Sequence, residues 1–83
     1  MTEILAVFRS RTQALECKDR LRACGVPAEV TATPSELKIG CGFSVKFPQA
    51  ALGRAKYIAA GGSSFYGLYA IVRGAGGYFY RRL

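Results

Sequence analysis

Strand-length apolar runs alternate along this chain with helix-start signals, and that alternation restricts the fold more than any other feature. Ile4 to Arg9 is a short apolar run that breaks off at Ser10-Arg11-Thr12-Gln13. That is the spacing of a capping box, in which a hydroxyl and a side-chain amide satisfy the free N–H groups of a helix start. Behind it Ala14, Cys17, Leu21 and Cys24 recur at i, i+3, i+7 and i+10 as one apolar stripe, while Glu16 and Arg20 pair on another face. Gly25 and Pro27 end the helix.

Glu29 to Thr33 reads as a second strand, cut off by Pro34. Thr33-Pro34-Ser35-Glu36 repeats the capping spacing with proline at the first helical position, which predicts a single helical turn ended by Gly40. Phe43, Val45 and Phe47 alternate with Ser44 and Lys46, the pattern of a strand with one buried face. Pro48 opens a second helix with Ala51, Leu52, Ala55, Ile58 and Ala59 inward and Gly61-Gly62 at its end. Gly53 weakens that helix by about 1 kcal/mol relative to alanine. Phe65 to Val72 is apolar throughout, as in a strand covered on both faces.

The order is βαββαβ, so the expected fold is α+β, a ferredoxin-like two-layer sandwich with helices on one face of an antiparallel sheet. With 83 residues there is room for one core only. Residues 1–73 form the expected domain. The basic, aromatic tail 74–83 has glycines enough to turn back as a fifth strand on the sheet edge. A sheet apolar on both faces with helices on one needs a cover on the other, either a second subunit or Tyr78 to Tyr80, and a homodimer is expected.

Charge divides the chain. Residues 1–36 hold all five acids and five basic groups, whereas residues 37–83 hold seven basic groups and no acid, so the whole +7 lies there. Lys38, Lys46, Arg73, Arg81 and Arg82 are the candidates for binding an anion, and a solvated surface is the alternative. No stretch is long and apolar enough to span a membrane, and Met1-Thr2-Glu3-Ile4 lacks the features of a secretory leader. A cytoplasmic protein with three free thiols is therefore expected.

The absence of histidine removes the usual general base, the usual activator of serine or cysteine nucleophiles and the commonest metal ligand. Cys17 and Cys24 share the helical stripe and read as core; with no CxxC pair, no metal site and no cofactor are expected. Gly61-Gly62-Ser63-Ser64 follows a helix instead of preceding one, which suits a helix stop better than a phosphate cradle. Tyr78, Phe79 and Tyr80 beside Arg81 and Arg82 suit a sheet-edge cover better than base stacking. Cys41 differs from the other cysteines. Gly40 and Gly42 leave its sulfur accessible, and Lys38 and Lys46 could favour its thiolate, but strand parity carried back from Phe43 turns it inward. The residues alone leave reactive thiol and core filler both open.

The run Thr33-Pro34-Ser35-Glu36-Leu37-Lys38-Ile39-Gly40-Cys41-Gly42-Phe43 resembles the signature of the selenium/sulfur carrier-like proteins, in which Thr-Pro-x-Glu-Leu is followed shortly by Cys-Gly and a strand. The strand and helix leading to Gly25-Val26-Pro27 and the proline-started second helix extend the likeness over roughly residues 4–72. The resemblance implies that Cys41 accepts sulfur or selenium as a persulfide or selenide, and that Thr33, Pro34, Glu36, Leu37, Gly40 and Gly42 build the turn presenting it. It implies a donor enzyme and an acceptor protein as partners, and a protein that is not itself an enzyme. The Cys-Pro-x-Pro signature of another group of sulfur carriers is absent. The alternatives are a non-catalytic module that holds RNA or an acidic protein, and an accessory subunit whose thiols are structural. The βαββαβ order is shared with RNA-recognition domains, and strand three has Phe43 and Phe47, yet Gly40-Cys41-Gly42-Phe43-Ser44-Val45-Lys46-Phe47 does not match their aromatic and glycine positions.

Overall fold

The computed structural model describes residues 3–38, 42–61 and 63–83. The described elements are β1 (Glu3–Phe8), α1 (Arg11–Ala23), β2 (Glu29–Ala32), a 3₁₀ turn (Ser35–Leu37), β3 (Phe43–Pro48), a second 3₁₀ turn (Gln49–Ala51), α2 (Leu52–Ala59), β4 (Phe65–Gly74) and β5 (Gly77–Arg82). The strands form one sheet in the order β2-β3-β1-β4-β5, every neighbouring pair antiparallel. The first four strands are in the ferredoxin-like order, and the tail adds β5 at the edge beside β4. None of the described helices is long and apolar enough to cross a membrane.

Local chemistry explains the ends of α1. The Ser10 hydroxyl accepts the Gln13 amide N–H at 3.3 Å, as the capping spacing predicts. The Gln13 side chain does not return to Ser10. Its Oε1 instead accepts from the amide and hydroxyl of Ser64, at 2.8 and 2.6 Å, and its Nε2 donates to the Ser63 hydroxyl at 2.8 Å. Ser64 Oγ in turn accepts the Ser10 N–H at 3.3 Å. Ser63-Ser64 thus ties the approach to β4 onto the start of α1. At the other end Gly25 has φ +82°. The amides of Gly25 and Val26 donate to the carbonyls of Arg22 and Leu21 at 3.0 and 2.9 Å, the paired bonds of a glycine C-cap. This stop falls one residue too early for Cys24, which caps the helix and is exposed. The expectation that Cys24 is a core residue is corrected: the helical period does not continue through the cap.

The helix-side core joins Ile4, Ala6 and Phe8 of β1 and Val45 and Phe47 of β3 to Ala14, Cys17 and Leu21 of α1 and Ala55 and Ala59 of α2. Ala51, Leu52 and Ile58 pack against it half-buried. The opposite face has its own cluster. Leu5, Val7 and Tyr69 are buried there beneath Leu37, Tyr66, Ile71 and Tyr80, so one chain supplies much of the cover this face requires, with Tyr80 of the tail contributing. Ser44 also departs from the expected pattern. It pairs with Val7 and is fully buried, on the face where Leu37 packs against the cluster of Leu5, Val7 and Tyr69.

Candidate functional site at the end of the sheet

The segment that carries the family-like run leaves β2 at Ala32 and re-enters the sheet at Phe43. Its two ends are fastened. The Thr33 amide donates to the Gly42 carbonyl at 3.1 Å, and the Thr33 and Ser44 hydroxyls share a hydrogen bond of 2.9 Å. The threonine hydroxyl is therefore not a helix cap, as the capping spacing predicts, but a tie to β3. Pro34, in extended conformation, takes the cap position of the 3₁₀ turn. The proline is fixed before the turn and not inside it, because its ψ of 137° is not helical. Lys38 closes the turn in the left-handed region, φ 54° and ψ 36°, its amide donating to the Ser35 carbonyl at 3.0 Å. Cys41 and Gly40 lie outside the described residues, as does the side chain of Glu36.

Gly42 stands where a side chain would be crowded. A Cβ there would stand 3.0 Å from Thr33 Oγ1 and 3.1 Å from the Phe8 carbonyl oxygen. The second neighbour is backbone and cannot swing aside. Gly42, the residue bonded to Cys41, is thereby packed against the exit of β1, where the next residue is Arg9.

That exit is cationic. Opposite Phe8 the register of β4 slips: Val7 pairs with Gly67 but Phe8 with Phe65, leaving Tyr66 without a partner in β1. A bulge of this kind re-aims a side chain, and Tyr66 joins the cluster on the helix-free face. The guanidinium groups of Arg9 and Arg82 each lie over the Tyr66 ring, both 5.4 Å from its centroid. Arg82 also donates to the Tyr66 carbonyl at 3.3 Å and to the Tyr69 hydroxyl at 3.5 Å. It has room because residue 67 is glycine, whose added Cβ would come within 3.3 Å of Nη2. On the other side of β1, Arg11 sits over Phe43, 6.0 Å from the ring centroid. Arg9 and Arg11 were not among the candidates drawn from the sequence, because charge counting credits only the acid-free half. One local signal was available: Arg11 occupies the first turn of α1, which carries no acid, although a cation is disfavoured there by the helix dipole.

The remaining cations are dispersed. Lys46 forms an ion pair with Glu29 at 3.0 Å, and that bond raises its pKa. It sits opposite Leu5, well up the strand from Gly42. Arg73 holds Tyr78 at the hairpin, with its guanidinium 5.4 Å from the ring and a 3.1 Å bond to the hydroxyl. Arg81 pairs with Ala70 and Arg82 with Tyr69, so these neighbours take opposite faces of the sheet. Lys38 is exposed beside the segment. Cys17 is buried, and its thiol is pushed up from the ordinary 9.0 to about 11, chiefly by desolvation and against the pull of Arg20. It is chemically quiet at neutral pH. Among the described residues no cluster of potential metal ligands is found.

A family model described as "Putative Se/S carrier protein-like" matches residues 3–66, more than half of the chain and somewhat less than the span of resemblance read from the sequence. It covers Thr33 to Phe43 and ends on Tyr66. No curated protein matches, and no solved structure matches.

Proposed function

Because the chain belongs to the Se/S carrier-like family, we propose that it carries sulfur or selenium on Cys41 between a donor enzyme and an acceptor protein. The observation that carries this reading is the position of the cysteine in the sequence, inside the matched region and bonded to Gly42, which packs closely against Thr33 and the Phe8 carbonyl. In the loading step the Cys41 thiolate attacks the outer sulfur of a donor persulfide. The donor's S–S bond breaks, the donor thiolate leaves, and the proton of the donor persulfide remains on the new Cys41 persulfide. Delivery repeats this with an acceptor nucleophile and returns Cys41 to its thiolate. No net oxidation occurs in either step, and no cofactor is required.

The chain acts here as a substrate of its partners and not as a catalyst, and the reducing cytoplasm suits a thiol used this way. The alternative of an RNA-binding module is less well served. Phe43, Tyr66, Tyr69 and Tyr78 each already have an arginine of the same chain over the ring, which leaves less aromatic surface for a base. The test is mass spectrometry of protein isolated from its own cell. An added sulfur or selenium on Cys41 is expected, and a Cys41 that is never modified during growth with an ample supply of both elements rejects the carrier.

A further inference from the structure

Arg9, Arg11 and Arg82 are exposed, and among the described residues none of them has a carboxylate within ion-pair distance. Two of the three converge on one ring, Tyr66, an arrangement that brings like charges together without a compensating acid. The bulge that delivers Tyr66 and the glycine at 67 that admits Arg82 both serve this convergence. Arg11 stands on the far side of β1, over Phe43. The two aromatic seats lie in the strands that flank β1 and on opposite faces of the sheet, Phe43 with the helix-side core and Tyr66 with the other cluster, so Arg11 approaches the end of the sheet from one face and the Arg9–Arg82 pair from the other.

We infer that this rim docks an acidic segment of the protein that gives cargo to, or takes cargo from, Cys41. This rests on the carrier reading for the partner's role. Cations that approach from opposite faces do not fit a single small oxyanion, whereas carboxylates spaced along a peptide reach them all. Seating on aromatic rings holds the guanidinium planes in place, so less side-chain freedom is lost when each fork meets a carboxylate. The carboxylates then meet arginines that, among the described residues, hold no ion pair of their own. A nucleic acid would also supply negative charge, but the rings at this rim are already engaged by arginine. Arg82 and its strand lie beyond the region matched by the family, so the rim would fit this chain's partner in particular.

The probe is a fluorescein-labelled oligoglutamate peptide, titrated with the full-length protein at low ionic strength, with oligouridylate of equal charge alongside. Arg9→Gln/Arg82→Gln is expected to weaken oligoglutamate binding at least about tenfold. Lys56→Gln/Arg81→Gln removes the same charge away from the rim and is expected to cost less than about threefold. Equal losses in the two double variants, or tighter binding of oligouridylate than of oligoglutamate, overturn the proposal. Should Arg82→Gln impair folding, Arg9→Gln/Arg11→Gln alters exposed side chains only and reads the same loss. Sulfur or selenium on Cys41, measured separately, keeps the two ideas apart. A loaded Cys41 with no rim-specific loss overturns the docking proposal alone. Rim-specific binding with a Cys41 that is never loaded supports acidic docking and overturns the carrier reading.

Discussion

The amide of Thr33 donates to the carbonyl of Gly42 at 3.1 Å, which joins the ends of the segment holding the family's cysteine. A Cβ at Gly42 would press on Thr33 and on the Phe8 carbonyl, at 3.0 and 3.1 Å. Gly42→Ala is therefore expected to destabilise the protein by about 1–3 kcal/mol through overpacking. Urea unfolding measures it, and an alanine variant as stable as the parent would show that the junction has slack.

The three thiols should separate by reactivity. Cys17 is buried with its pKa held near 11 and should stay unlabelled until the chain unfolds. Cys24 is exposed at the end of α1 and should label in the native state. Cys41, if it is the carrier, should alkylate at least about tenfold faster than Cys24. Timed iodoacetamide labelling with peptide mapping gives all three rates, and a Cys41 as protected as Cys17 would sink the carrier reading.

Cys17 also sets a pH dependence. Its native pKa lies above its unfolded value, so between 9.0 and about 11 the native state holds more protons than the unfolded state. Stability then falls as pH rises through that window, by up to about 2–3 kcal/mol, and is flat with respect to this group below it. Cys17→Ala should flatten the curve in this range while lowering it overall by the loss of packing. An unchanged slope in the variant would assign the alkaline loss to other groups.

Residues 75–83 should matter to stability although they lie outside the family match. Tyr80 helps to cover Leu5, Val7 and Tyr69, and Leu83 donates its amide to the Leu68 carbonyl at 2.9 Å. Removing residues 75–83 uncovers an apolar face, and we expect a lower Tm together with association that grows with concentration. Scanning calorimetry at several concentrations tests this, and a truncated chain with the parent's Tm would place the cover elsewhere.

For the intact chain we propose self-association along β5. Val72, Phe79 and Leu83 remain exposed at that edge, at 39%, 58% and 51%, and an outer strand offers unpaired backbone groups. Phe79→Lys should then shift sedimentation from dimer to monomer. A parent protein that sediments as a monomer at micromolar concentration rejects the dimer.

The sequence by itself determined what depends on near neighbours along the chain. The Ser10 cap, the Gly25 stop, the inward faces of β3 and α2 and the order of the elements follow from signals that act within a few residues, and the run from Thr33 to Phe43 identified the family. Tertiary structure decided everything that depends on which strands become neighbours. Gln13 satisfies half of a capping box by its spacing, yet it bonds Ser64 because the start of β4 reaches it first. Ser44 follows an exposed parity, yet it is buried, its hydroxyl bonded to that of Thr33. Arg9 and Arg82 lie at opposite ends of the sequence and meet on Tyr66 only because β1, β4 and β5 are adjacent and β4 slips by one residue. Local patterns carry no record of that register, so the cationic rim could be found only in the folded chain.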